Sequence, residues 1–442
     1  MSLELGKTLI KNKNYKEALS IFNNLLKNEP NNLRVNFHLG RIFYELNNLE
    51  KCNYFFEKCN NIQPNTANVI FNLALTLQSR GKLDEAKRQY LKLISINSKD
   101  VKAYYGLFVL NSKNIDKEFQ LKLKNLVGRS DVSLFEKSLI NFIFSKIEKE
   151  QGNLKNEINY LKLSHEQSYN SNLLINSQSD LYYKDIISNK YNEINFKRSF
   201  EKIDEFNNGN HIFIIGLPRS GSTLVETIIN HNSKNIVSVG EFHGVNTSII
   251  NQIGKVIYSN NFALENFNFN IDKKEFQDSL ISRYDNFKIR NYLDKSLENF
   301  FNIEIILNFF PNAKFVHTYR DIKDAVIGIY QTMLSELSWS HSIQSIYNYT
   351  KNYLKIMNYF NKKYPDKIIS VKLNELTNEK EIQTKKILNF CNIDVKVDFL
   401  AYNENNKLFN KTNSFLQVRE KIKQYDYKKY EPYYYLLKGL KF

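Results

Sequence analysis

HIFIIGLPRSGSTLVETIIN, residues 211–230, is the stretch on which the fold turns. An apolar run, His211 to Ile215, leads into a turn bounded by Gly216 and Gly221. A helical pattern with Leu224, Ile228 and Ile229 on its apolar face follows at once. Strand, glycine-bounded turn and helix in immediate succession make a cradle for phosphate or sulfate. The N–H groups of the first helical turn have no intrahelical acceptor, and the positive end of the helix dipole favours an anion. Gly216 and Gly221 allow close backbone approach, while Arg219, Ser220, Ser222 and Thr223 add donors. Two other uses of such a turn fail on the residues present. A triphosphatase loop, G-x4-G-K-[ST], needs lysine where Ser222 stands, and no acidic strand end offers to hold magnesium; a nucleotide kinase is disfavoured accordingly. A serine-hydrolase elbow, G-x-S-x-G, needs glycine where Pro218 stands. A phosphosulfate carries less charge than a triphosphate and needs no metal.

Outward from this stretch, apolar segments alternate with helical ones. Residues 211–216, 235–240, 288–294, 314–319 and 367–373 read as strands, and 298–310, 321–335, 341–363 and 379–391 as helices. That alternation predicts a parallel sheet with helices on both faces.

The first hundred residues follow a different rule, a repeat of period 34. Leu5-Gly6, Leu39-Gly40 and Leu73-Ala74 are equivalent, as are Ala18, Cys52 and Ala86, then Phe22, Phe56 and Tyr90, with Pro30, Pro64 and Ser98 closing each unit. Small residues let paired helices approach, an aromatic fills the gap, and proline ends the second helix. The pattern resembles a tetratricopeptide repeat array. Residues 103–108 read as a fourth opening helix, and 135–165, with Gly152-Asn153 at the turn, as a degenerate capping pair. The expected organisation is an all-α repeat solenoid over 1–165, a polar connector over 166–209 and an α/β domain over 210–442. Such an array either supports its neighbour or binds a protein or peptide partner.

Composition narrows the class. A chain of 442 residues, 42% hydrophobic, has room for more than one core. No apolar run is long enough to span a membrane, and the polar amphipathic N-terminus does not read as a signal peptide. Three cysteines without a CxxC pair argue against a disulfide framework or zinc site, and with the previous points predict a cytoplasmic protein. The net charge of +16 comes from lysine spread through an Asn-, Ile- and Tyr-rich background, which reads as compositional drift and not as a nucleic-acid-binding stripe. Arginine is the informative cation. It supplies only 11 of the 62 basic residues, five of them after residue 210, and its planar fork suits oxyanions as lysine cannot.

GLPRSGSTL (216–224), VGEF (239–242), DKSLENF (294–300), FPNAKFVHTYRD (310–321) and NSFLQV (413–418), in this order and spacing, resemble the sulfotransferase superfamily. The likeness is greatest to bacterial members with N-terminal tetratricopeptide repeats, related to protein-tyrosine sulfotransferases. It implies an α/β sulfotransferase domain that moves a sulfuryl group from 3′-phosphoadenosine 5′-phosphosulfate, without metal, to a hydroxyl or amine. By resemblance Arg219, Ser220, Gly221, Ser222 and Thr223 hold the 5′-phosphosulfate, Glu241 is the general base, and Lys295 stabilises charge at the leaving oxygen. Arg320 binds the 3′-phosphate, and Ser414 in a late closing loop donates to the phosphosulfate, with Gln417, Arg419 and Lys421 as further candidates for the 3′-phosphate. Local alternatives stand beside these roles: Glu241 as a cap for the helix after Gly244 with His243 as proton acceptor, and Arg320 as an ion-pair partner of Asp321 or Asp324.

Two departures fall at the nucleoside end of the donor. The family's serine eight residues after the 3′-phosphate arginine is Gly328 here, and its tyrosine in ISVKLNEL (369–376) is Leu373. They motivate an alternative reading as a non-enzymatic repeat adaptor with a degenerate catalytic fold. The acceptor is not written in the sequence: the repeats suit a protein, with tyrosine as the residue the resemblance implies, while 262–287 and 333–347 carry no recognisable code and Trp339 reads as core packing.

Overall fold

The computed structural model describes residues 2–12, 14–46, 48–183, 209–248, 291–396, 398–400 and 424–442. They divide into two compact units, one ending at Leu173 and one beginning at Leu174.

The first unit is helical. Its helices are α1 (Leu3–Lys11), α2 (Tyr15–Asn28), α3 (Leu33–Glu45), α4 (Leu49–Ile62), α5 (Ala67–Ser79), α6 (Leu83–Ile96), α7 (Val101–Leu110), α8 (Lys117–Val127), α9 (Leu134–Glu150) and α10 (Leu154–Ser171). The pairs α1/α2, α3/α4 and α5/α6 carry the period of the sequence, and α9/α10 form a further pair about Gly152, whose φ of +77° only glycine adopts freely. Polar residues end each turn: Asn32, Asn48, Asp100 and Asp116 accept from the first turns of α3, α4, α7 and α8, and Ser133 with Glu136 forms a capping box on α9. The small positions work as the repeat predicts. A Cβ added to Gly6 would lie 2.7 Å from the Phe22 ring, and one on Gly40 2.9 Å from Phe56. The third aromatic departs from the rule, because a Cβ on Gly106, in α7, would lie 2.4 Å from Tyr90. Where Ala74 replaces glycine, the ring finds its clearance on the following helix.

The second unit contains α11 (Leu173–Leu181), which straddles the boundary, and then a sheet. Its elements are β1 (Ile212–Gly216), α12 (Ser222–Asn232), β2 (Val237–Gly240), β3 (Tyr292–Asp294), α13 (Ile303–Phe309), β4 (Lys314–Tyr319), α14 (Ile322–Tyr330), α15 (Ile343–Lys363), β5 (Ile368–Lys372), α16 (Leu373–Asn378) and α17 (Lys380–Phe390). All five strands pair in parallel, in the order β2-β3-β1-β4-β5. The repeat solenoid followed by a parallel α/β domain is the expected fold class. β1 is buried throughout, as a central parallel strand must be. Ile212 and Ile214 pack with Val225, Ile228 and Ile229 of α12 and Ile387 and Leu388 of α17, while Phe213 faces Phe310 and Phe315.

One segment differs in kind from its expectation. Residues 298–310 open as a 3-10 turn, Leu297–Asn302, before α13 begins. Glu298 to Asn302 are all buried there, so side chains on every face have to find partners, and packing overrides the amphipathic period.

Candidate active site

Parallel sheets of this type bind ligands beyond the carboxyl ends of their strands, where the connections diverge to opposite sides. In this order β1 connects toward β2 and β3 on one side, while β4 connects toward β5 on the other. The crevice therefore opens at the ends of β1 and β4, where Gly216 lies in register with Thr318.

The turn after β1 is built for close approach. Gly216 has φ +142°, and a Cβ there would lie 2.2 Å from the Thr318 carbonyl oxygen. Arg219 takes a left-handed φ of +66°, a conformation costing about 1–3 kcal/mol in a non-glycine residue and held only when the surroundings require it. Gly221, at φ +93°, caps α12 without any side-chain bond. Ser222 and Thr223 are buried in the first turn. Ser220 is 1% exposed, and its Oγ has no hydrogen-bond partner among the described residues. Burying an unpaired hydroxyl costs about 1–3 kcal/mol, which a bound oxyanion would relieve. The loop's donors thus fit a phosphate or sulfate group.

One strand away, β3 ends in Asp294 and hands the chain to Lys295. Two bonds set this corner: the Ser296 amide donates to Asp294 Oδ1 at 2.7 Å, and the His243 amide donates to Ser296 Oγ at 2.7 Å. The Lys295 side chain is 2% exposed, with Nζ 2.9 Å from Glu241 Oε1 and 3.4 Å from Glu226 Oε2. Burial alone would push the ammonium pKa down, but Glu226 and Glu241 outweigh it and hold it above its ordinary range. Glu226, on the face of α12 that continues the loop, is a carboxylate the sequence reading missed. Ser238 donates to its Oε1 at 2.5 Å. Its spacing, four residues beyond Ser222, was the available signal, since it puts both residues on one helical face.

Glu241 directly follows β2. Protein packed around its carboxyl pushes the pKa up, but Lys295 outweighs that and the net shift is downward, although 45% of the side chain meets solvent. The carboxylate is therefore ionised at neutral pH and able to accept a proton. The next helical turn starts at Gly244, after His243 at φ +54°, and the Glu241 carboxylate reaches Lys295.

Arg320 follows β4 and is 7% exposed. Its Nη1 donates to the Arg219 carbonyl at 3.2 Å and to Tyr430 Oη at 3.5 Å, and its Nη2 donates to Tyr425 Oη at 2.7 Å. The guanidinium lies over both rings, 5.1 Å from the Tyr425 centroid and 4.7 Å from that of Tyr430. The ion pair weighed in the sequence is present with Asp324, at 3.7 Å. Asp324 also accepts from Tyr434 Oη at 2.6 Å and from Tyr425. These tyrosines were missed as well; the run YDYKKYEPYYY (425–435) was their only mark. At the two departures, Tyr430 Oη lies 3.3 Å from where a Gly328 Cβ would be, and Leu373 Cδ1 lies 2.7 Å from where a Gly221 Cβ would be. Trp339 is buried and stacks on Tyr349 at 3.7 Å. Ser414, with Gln417, Arg419 and Lys421, lies outside the described residues.

Residues 211–397 match the model of the sulfotransferase family, 33–66 and 67–100 match a tetratricopeptide repeat model, and 2–32 match a second repeat model. The chain carries tetratricopeptide repeats and a sulfotransferase-family domain. An uncharacterized protein of Aquifex aeolicus (strain VF5) is 25% identical over 390 residues, covering 83% of this chain and 48% of that protein. The chain thus spans about half the length of the curated relative it matches. Among solved structures, the sulfotransferase domain from the Synechococcus PCC 7002 olefin synthase is similar at 17% identity and TM-score 0.33, over 50% of this chain and 86% of that one. A sulfotransferase from Mycobacterium tuberculosis H37Rv is similar at 11% identity and TM-score 0.32, over 68% and 97%. Among the described residues of the sulfotransferase domain and the repeats, no helix is long and apolar enough to cross a membrane.

Proposed function

We propose that the chain is a sulfotransferase that moves a sulfuryl group from 3′-phosphoadenosine 5′-phosphosulfate to a hydroxyl, with a protein tyrosine as the acceptor class and the repeats as the recruiting element. One observation carries this reading: Glu241, Lys295, the Gly216–Thr223 turn and Arg320 follow the carboxyl ends of four neighbouring strands, β2, β3, β1 and β4. Neighbouring parallel strands lie about 4.8 Å apart, so a proton acceptor, a cation, an anion cradle and a second cation succeed one another along one edge. That succession suits a ligand with an anionic group at each end and a transferable group beside the base.

The donor supplies an activated sulfuryl group, whose sulfur bonds to the acceptor oxygen as its bond to the bridging phosphate oxygen breaks. Glu241 takes the acceptor proton. Ser220 Oγ and the first-turn N–H groups of α12 hold oxyanion charge, at little reorganisation cost because the loop is already set. Lys295, kept protonated by its two carboxylates, offers a fixed positive charge beside them. Glu226 keeps that ammonium neutralised whenever Glu241 turns to an acceptor. Positioning and electrostatics supply the rate, as in phosphoryl transfer.

The full chain, incubated with 35S-labelled donor and a panel of tyrosine peptides, glycans and small alcohols, is expected to label at least one hydroxyl. Absence of donor binding at millimolar concentration overturns the reading.

A further inference from the structure

Arg320 is a buried cation whose hydrogen-bonding capacity is only partly used. Its Nε–H has no partner among the described residues. Its one anionic partner among the described residues, Asp324 at 3.7 Å, already accepts from the hydroxyls of Tyr425 and Tyr434. The Tyr430 hydroxyl accepts the long 3.5 Å contact from Arg320 Nη1, and its own proton has no acceptor among the described residues. A guanidinium with an unpaired Nε–H and a hydroxyl with an unused proton therefore lie in one buried place. That place lies one strand over from the anion loop, and Arg320 itself bonds the loop's Arg219 carbonyl.

The arrangement has a steric counterpart on α14. A Cβ on Gly328 would lie 3.3 Å from Tyr430 Oη and 3.6 Å from Arg320 Nη1. The space that a side chain on Gly328 would enter holds the tyrosine hydroxyl. Glycine at 328 and tyrosine at 430 are two halves of one solution: the helix gives up its side chain, and the C-terminal segment supplies the hydroxyl from the other side.

We infer that Tyr430 is a specificity-determining residue, its hydroxyl joining the Arg320 guanidinium to bind the second anionic group of the donor, a phosphate monoester on the ribose. The inference rests on the proposed sulfotransferase reading, and it assigns the ribose phosphate to a hydroxyl carried by the C-terminal segment. A phosphate monoester dianion presents several oxygens to such a pair, and bonds to charged acceptors are the strong ones. Arg320 offsets part of the dianion's charge, while the hydroxyls of Tyr425 and Tyr434 occupy Asp324, the one carboxylate paired with Arg320 among the described residues.

The test compares the affinities of the full chain for adenosine 3′,5′-bisphosphate and adenosine 5′-monophosphate by calorimetry, with folding checked by thermal unfolding. The wild-type chain is expected to prefer the bisphosphate. Tyr430→Phe keeps the ring on Arg320 and removes the hydroxyl; it is expected to weaken the bisphosphate by about 10-fold or more and leave the monophosphate within about 2-fold. Adding Gly328→Ser to Tyr430→Phe places a hydroxyl in the vacated space and is expected to restore most of the loss. If Tyr430→Phe does not fold, Gly328→Ala, which crowds the Tyr430 hydroxyl and removes no polar group, must show the same selective weakening. Equal loss for both nucleotides, no loss, or a selective loss that the serine leaves untouched overturns the role of Tyr430. A wild-type chain that binds the bisphosphate without preferring it also overturns this role while the sulfotransferase reading stands; one that binds neither nucleotide overturns both.

Discussion

Lys295 lies between two carboxylates that do not share its charge equally. Glu226 is nearly buried and bonded to Ser238, while almost half of Glu241 meets solvent. Replacing Glu241 by Gln therefore leaves Lys295 with Glu226 at 3.4 Å, and stability should change little. Turnover should fall by about 100-fold or more, the usual size of a lost general base, with donor affinity retained. A single-turnover assay with labelled donor checks this, and unchanged turnover removes Glu241 from the chemistry. Replacing Lys295 by Met has the opposite signature. It leaves Glu226 buried without its cation, and breaking such a pair costs about 3–5 kcal/mol. Denaturant unfolding should register a loss near the lower end, because Ser238 still donates to Glu226 and Glu241 can turn to solvent.

At the scale of the element, Gly106 decides how α7 joins the repeats. Alanine in a helix interior is favoured over glycine by about 1 kcal/mol, so propensity alone predicts that Gly106→Ala stabilises. The added Cβ would lie 2.4 Å from the ring of Tyr90, which is fully buried and cannot retreat. Overpacking a closed core costs about 1–3 kcal/mol, and at this separation the upper part of that range applies. The variant should unfold at lower denaturant, and Tyr90→Leu in the same chain should recover part of the loss; a stabilised Gly106→Ala would show that Tyr90 moves freely. This contact was illegible in the sequence, since the repeat predicts that Tyr90 packs on its own unit. The substitution at Ala74 breaks that rule, and only coordinates show where the ring goes. The five strands were legible because each is an apolar run between turn residues. The 3-10 segment at 297–302 was not, because burial on every face erases the period that marks a helix. In the site, the glycine-bounded loop announces itself, whereas Glu226 is an ordinary helical glutamate until β3 brings Lys295 beside it. Tyr425, Tyr430 and Tyr434 are three among 28 tyrosines, and nothing in a run of them says which will face an arginine.

At the scale of the whole molecule, a chain with net charge +16 gains positive charge as pH falls, and self-repulsion alone weakens it. Histidines held neutral by burial add a sharper dependence: His38 in the first unit, and His211, His317 and His341 in the second. His211 is stacked on Tyr292 and packed against Phe310, with neither ring nitrogen partnered among the described residues, and burial pushes its pKa down to about 4. His317 bonds Ser370 at 2.9 Å and Tyr353 inside the sheet, and burial pushes it down to about 3. Both are neutral in the folded chain, while the unfolded chain binds their protons near pH 6.5. The stability from keeping them neutral is therefore complete above about pH 6.5 and is lost as pH falls toward the folded values. In that window each histidine costs about 1.4 kcal/mol per pH unit, so from pH 6 to pH 5 the pair removes on the order of 2–3 kcal/mol. His211→Phe keeps the aromatic packing and deletes one of these proton sites. Its unfolding stability should fall less steeply with pH than the wild type, by about 1 kcal/mol per pH unit between pH 6 and pH 5, after the shared charge repulsion cancels in the difference. Unfolding curves of both chains at pH 7, 6 and 5 decide it, and parallel slopes would mean that His211 takes up its proton in the folded state.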